Sequence, residues 1–224
     1  MNKQRTAIYT MRRHALYGEG VDIDLNNMIL SFADTFAASM KDASFEDFSF
    51  ELIRQVAIQP SFDEQTYQKA STSELADLII ADIRAAYARR AQMVAQTAMP
   101  VIKNVVESNP QAENMYVPIT NGTLVYNVLV NLKKCVESEG AEIYKMFTKL
   151  AMLTTIDDNW REHLREMDDL KQSVQNATYE QKDPLLIYKG ESYNLFEAMI
   201  DKVNSEVISI LMKGFIPTKE QAES

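Results

Sequence analysis

Near the end of the chain, apolar residues recur every three or four positions over two long stretches separated by a short polar break. In the first stretch, residues 151–177, the stripe is Leu153, Ile156, Trp160, Leu164, Met167, Leu170 and Val174. That spacing gives a helix one apolar face. In the second, Tyr193, Phe196, Ile200, Val203, Val207 and Ile210 alternate steps of three and four, the heptad spacing of a helix packed on a partner. The break consists of Thr178, Tyr179, Glu180, Gln181, Lys182, Asp183 and Pro184. A proline there cannot continue the first helix and suits the first turn of the next. A short connection makes the two helices antiparallel. A helix of about 27 residues is roughly 40 Å long, so the break stands far from the base. Tyr179 lies outside both stripes, where its amphipathic ring either folds back over the helix ends or meets another chain or a passing peptide.

The rest of the chain is also read mainly as helix. Residues 3–17 carry Ile8, Met11 and Leu16 on one side and Lys3, Arg5, Arg12 and Arg13 along an edge, up to the break at Gly18-Glu19-Gly20. The pattern starts at once, as in a helix cut through its middle. Asp24 is the expected cap of a helix over 25–41, with Leu25, Met28, Ile29, Phe32, Phe36 and Met40 inward. Two short helices and turns are expected over 42–72. Ser71 and Glu74 form a capping box for a helix to about 108, whose inner stripe is Leu75, Leu78, Ile79, Ile83, Ala86 and Tyr87. Pro100 is expected to kink or split it. After a loop at 109–114, β-branched and aromatic residues flank Asn121-Gly122, the preferred type I′ pair of a hairpin. Pro118 confines the first arm to an edge, and a lone hairpin must pack on the helices to persist. A helix over 135–150 leads into the antiparallel pair, which Gly214 terminates before a polar tail.

Composition narrows the function. With 224 residues and 46% hydrophobic content, the chain has ample material for a core. A net charge of −9 argues against nucleic acid as a partner. A single cysteine, Cys135, forms no internal disulfide. No apolar run approaches membrane-spanning length, and the first residues lack the form of a secretory signal, so a cytoplasmic setting is expected. The glycines at 18, 20, 122, 140, 190 and 214 match no phosphate-binding loop. His163, beside the Trp160 stripe, reads as structural, because a metal site wants further ligands at convergent spacing. His14 reads as solvated. The pairs Asp157-Asp158 and Asp168-Asp169 diverge around a helix and read as solvated faces. Trp160 and the twelve methionines read as core. No nucleophile, base or metal constellation emerges, so an enzyme is the least favoured class.

Four short patterns then occur in order: W-x-E-H-L from Trp160, M-D-x-L-x-Q from Met167, Y-x-Q-K-D-P from Tyr179, and Y-K-x-E-S from Tyr188. Together they resemble the two-helix finger of the SecA family of preprotein translocase ATPases. The opening residues MNKQRTAIYTMRRHALYGE resemble the family's scaffold helix where it follows the second motor domain. The resemblance implies a mainly α fold: an elongated helical scaffold with a long antiparallel helix hairpin, plus a helical wing containing one small β-hairpin. Residues 1–40 would be scaffold, 41–150 an extended wing, 151–217 scaffold and finger, and 218–224 a tail. It further implies a C-terminal piece of a motor that drives unfolded preproteins through a membrane channel, peripheral at the inner membrane face. ATP and Mg would belong to absent motor domains, leaving this chain without cofactor or metal. The finger tip, Tyr179 to Pro184, would touch preprotein and channel, and the scaffold would dock on the motor domains. Cutting the scaffold from its neighbours could pair copies of the fragment. The competing expectation is a free-standing helical adaptor that binds a protein through its antiparallel pair.

Overall fold

The computed structural model describes residues 1–176 and 183–222. The first helix, α1 (Asn2–Tyr17), ends where the Gly18 N–H returns to the His14 carbonyl at 2.9 Å. After a three-residue turn, Gly18-Glu19-Gly20, α2 (Val21–Met40) runs back. It starts four residues ahead of the expected cap, with Gly20 in the capping position. Asp24 instead lies in the first turn, where a carboxylate favours the helix dipole, and accepts at 2.8 Å from His14.

Two short helices follow, as the pattern predicts: α3 (Phe45–Val56) and α4 (Glu64–Lys69), capped by the side chains of Ser44 and Asp63. They close an aromatic cluster of Phe36, Phe45, Phe48, Phe62 and Tyr67, with ring centroids 4.8–6.3 Å apart. The Tyr67 hydroxyl lies 2.7 Å from the Met40 carbonyl and 2.8 Å from that of Ala43, which ties this cluster to the end of α2. The Ser71–Glu74 capping box forms and starts α5 (Thr72–Ser108). This helix runs through Pro100 without splitting, one of the two outcomes expected there. Proline removes one backbone donor, and the burial of Ala98, Met99 and Ile102 on the same stretch offsets that loss.

The hairpin pairs β1 (Asn114–Thr120) with β2 (Val125–Asn131) in antiparallel register, Tyr116 opposite Leu129 and Thr120 opposite Val125. The connection therefore has four residues, where the Asn-Gly pair had suggested a two-residue type I′ turn. Gly122 adopts a φ of 93° but Asn121 keeps a negative φ. The Asn121 side chain accepts from the N–H groups of Thr123 (3.0 Å) and Leu124 (2.9 Å), a local side-chain bond that closes the loop. Val117, Ile119, Val128 and Val130 turn inward against the helices.

The expected helix over 135–150 is two helices. A short α6 (Leu132–Glu137) ends at a tight turn in which Glu139 and Gly140 have φ values of 53° and 90°. A Cβ at Gly140 would stand 2.7 Å from that of Ala95, so both backbone and space demand glycine. From that turn α7 (Ala141–Asn176) runs 36 residues without interruption, passing through position 151 where the periodic stripe begins. Its partner α8 (Pro184–Lys213) ends at Gly214 with a φ of −63°. Gly214 is needed for clearance rather than for a left-handed cap, because a Cβ would lie 2.7 Å from both the Phe147 ring and the Tyr144 hydroxyl. Phe215 then bridges Thr120 on the outer edge of β1, and α9 (Lys219–Ala222) forms a last helical turn in the polar tail.

The molecule is thus mainly α, with one small β-hairpin. Its contiguous core draws on α1 to α6, both strands, and the lower halves of α7 and α8.

Candidate interaction site at the helix hairpin

The predicted apolar stripes largely account for how α7 and α8 meet. Ile156, Met167 and Val174 on α7 are buried, as are Val203 and Val207 on α8. Leu153, Trp160, Phe196, Ile200 and Ile210 are partly buried against the core. Tyr193 departs from the expectation: it is 59% exposed, and its hydroxyl donates to Glu197 at 2.6 Å. Ser192 and Met199 are buried on α8 instead. A straight helix turns 3.6 residues per cycle, so a strict heptad reading drifts off the seam. Here Tyr193 falls on the solvent side.

Three contacts set α1 antiparallel against α7. Lys149 lies over Gly18, Arg12 meets Asp157 at 2.7 Å, and Gln4 bonds His163 at 2.9 Å. Asp157 is thus ion-paired, while Asp158 meets Arg161 at 3.5 Å on the exposed side of α7. His14, expected to be solvated, is bonded to Asp24 across the α1–α2 turn. The sequence offered no signal for that pairing, since the Gly18–Gly20 turn creates it. Farther down the hairpin, Asn159 donates to Glu206 at 2.8 Å and joins α7 to α8. The Tyr144 hydroxyl donates to the Leu211 carbonyl at the base.

Beyond His163 the two arms continue with only their own seam to seal. Met167 and Val174 are buried there but lie outside the contiguous core. Of the predicted tip, Tyr179, Glu180, Gln181 and Lys182 lie outside the described residues. Asp183 caps α8 by accepting from the Leu185 N–H at 3.0 Å, and Pro184 is its first residue. The missing proline N–H costs nothing at that position. Next to them stand Leu185 and Leu186, 59% and 70% exposed. These two were missed in the sequence reading. Their signal was an apolar pair directly after a proline and out of step with the stripe that begins at Tyr193.

At the other end of the hairpin an open groove of about 740 Å³ lies between α3, the β-hairpin loop, α7 and α8, lined among others by Arg54, Leu124, Tyr126, Asp158 and Glu206. Among the described residues no three His, Cys, Asp or Glu side chains converge as metal ligands. Cys135 is buried, and burial pushes its thiol up to about 11, well away from a reactive thiolate. No helix among the described residues is long and apolar enough to cross a membrane.

Fold and site together define a helical scaffold that carries a long antiparallel helix pair. The family model described as the SecA wing and scaffold domain matches residues 1–214, and the chain belongs to that family. It is similar to the protein translocase subunit SecA of Phocaeicola vulgatus, with 47% identity over 221 residues, 98% of this chain and 20% of the relative. The subunits of the same name from Bacteroides fragilis and Porphyromonas gingivalis are 46% and 41% identical over 225 and 222 residues. The chain therefore spans about a fifth of the length of the curated relatives it matches, at 20% of each.

Proposed function

We propose that this chain is the scaffold, wing and finger module of an ATP-driven protein translocase, and that its hairpin tip contacts unfolded preprotein at a membrane channel. The observation that carries this reading is the antiparallel pair α7–α8, of which α7 ends at Asn176 and α8 begins at Pro184, with apolar Leu185 and Leu186 exposed at that end. A paired rod transmits displacement from its base to its end. At that end Tyr179, with Leu185 and Leu186, would grip side chains of many sequences through apolar and stacking contacts. A grip that must release should be weak, on the order of 1 kcal/mol per aromatic contact. Glu180, Gln181, Lys182, Asp183 and Pro184 would shape the turn and its polar approach to the channel.

On this reading the module performs no chemistry of its own. ATP and Mg would act in motor domains outside this chain, against which α1 docks through its basic edge, Lys3, Arg5 and Arg13. Work would be done at the cytoplasmic face of the inner membrane, by peripheral association.

The test is transport by the complete translocase carrying Tyr179→Ala. Preprotein translocation should fall severalfold while the circular dichroism and melting temperature of the 224-residue chain stay unchanged. Transport at the unaltered rate would remove the tip role and favour a free-standing adaptor that binds through its helix pair.

A further inference from the structure

One polar side-chain atom buried among the described residues has no hydrogen-bond partner: Nδ1 of His163. The ring is 1% exposed, at the junction of α1, α7 and α8. Its surroundings assign its proton. Gln4 donates through Nε2 to the Ser192 carbonyl (3.2 Å) and hydroxyl (3.0 Å) on α8, which fixes the amide so that Oε1 faces the histidine. That oxygen can only accept, so His163 Nε2, 2.9 Å away, is the donor. Nδ1 therefore carries a bare lone pair. The ring stacks on Trp160 at 5.4 Å and meets Phe196 edge-on at 5.8 Å, so neither flat side reaches water.

We propose that His163 is a positioning residue that keys α1 to both arms of the hairpin in its uncharged form, and that a proton taken up at Nδ1 releases α1. A second N–H would be a buried cationic donor facing no acceptor, a costly arrangement. Among the described residues no acceptor lies within hydrogen-bond reach of Nδ1 to compensate. On α7 Glu162 meets Arg165 at 3.1 Å, and on α8 Glu197 accepts from Tyr193. Burial holds the imidazole below its ordinary value of 6.5. The unfolded chain thus binds the proton first. The contribution of the latch is complete above pH 6.5 and declines as pH falls towards the lowered folded value.

Trp160 is the single tryptophan and lies on the ring, so its emission reports the proton directly. In the 224-residue chain, emission should titrate in one step below pH 6.5, and amide hydrogen exchange in α1, corrected for intrinsic pH dependence, should accelerate over the same step. His163→Phe keeps a ring at the site and should abolish both changes, whereas His14→Gln should leave both in place. Gln4→Glu supplies an acceptor carboxylate and should raise the midpoint by about one unit or more. His163→Gln serves as the uncharged control if the phenylalanine variant fails to fold. A titration of Trp160 that persists without His163, a midpoint unmoved by Gln4→Glu, or α1 amides that stay protected through the transition would each overturn the proposal.

Discussion

Phe147 and Met167 lie on the same helix and are both sealed from solvent, at 0% and 2% exposure, yet they are buried by different means. Phe147 stands at the base, edge-on to Tyr126 of the β-hairpin at 5.5 Å and to Tyr144 at 5.2 Å, with Gly214 against its ring. Layers close over it from several elements. Met167 lies past the point where α1 ends its run along α7, outside the contiguous core, where the hairpin's own seam must exclude water. One continuous helix thus passes from an interior packed on all sides to a strut with a single apolar stripe. The difference teaches how one helix can be held from several sides at its base and by a single seam farther along. The contiguous core lies below His163, and Leu185 and Leu186 are exposed at the Pro184 end of the hairpin.

Substitutions along α7 and α8 can sharpen or break that contrast. Phe147→Ala should give the largest effect, a loss of about 3–5 kcal/mol in urea unfolding, because the surrounding layers cannot collapse into the void. Met167→Ala should cost about 2 kcal/mol, at the low end for such a change, since a two-helix seam relaxes more readily than a layered core. A larger loss at Met167 than at Phe147 would invert the comparison. Replacing Leu185 and Leu186 together by Ser should shift stability by no more than about 0.5 kcal/mol, as expected for exposed positions, while lowering transport by the complete translocase. A large stability loss there would mean that the pair is covered within this chain.

Much of the fold was legible in the sequence because it rests on local rules. The 3.6-residue periodicity marked α2, α5, α7 and α8, the Ser71–Glu74 capping box marked the start of α5, and Pro184 marked the start of α8. The failures occur where a distant neighbour decides. Asp24 looked like a cap until the Gly18–Gly20 turn brought it to His14. Asn121-Gly122 looked like a two-residue turn, but the strand register made it part of a four-residue loop closed by the Asn121 side chain. Tyr193 satisfied the heptad and still faces solvent. Of the candidate site, Pro184 and Asp183 could be placed from turn chemistry, whereas Leu185 and Leu186 gained meaning only when their exposure was seen.

What the sequence determined by itself was the helical class, the antiparallel pair and the SecA-like order of motifs, since each follows from spacing along the chain and from residues that favour or forbid a backbone conformation. The tertiary structure alone decided which polar groups meet: Gln4 with His163 and Ser192, Arg12 with Asp157, Asn159 with Glu206. Such pairings join residues far apart in the chain, and their energy depends on geometry and on the exclusion of water, neither of which exists before the helices pack.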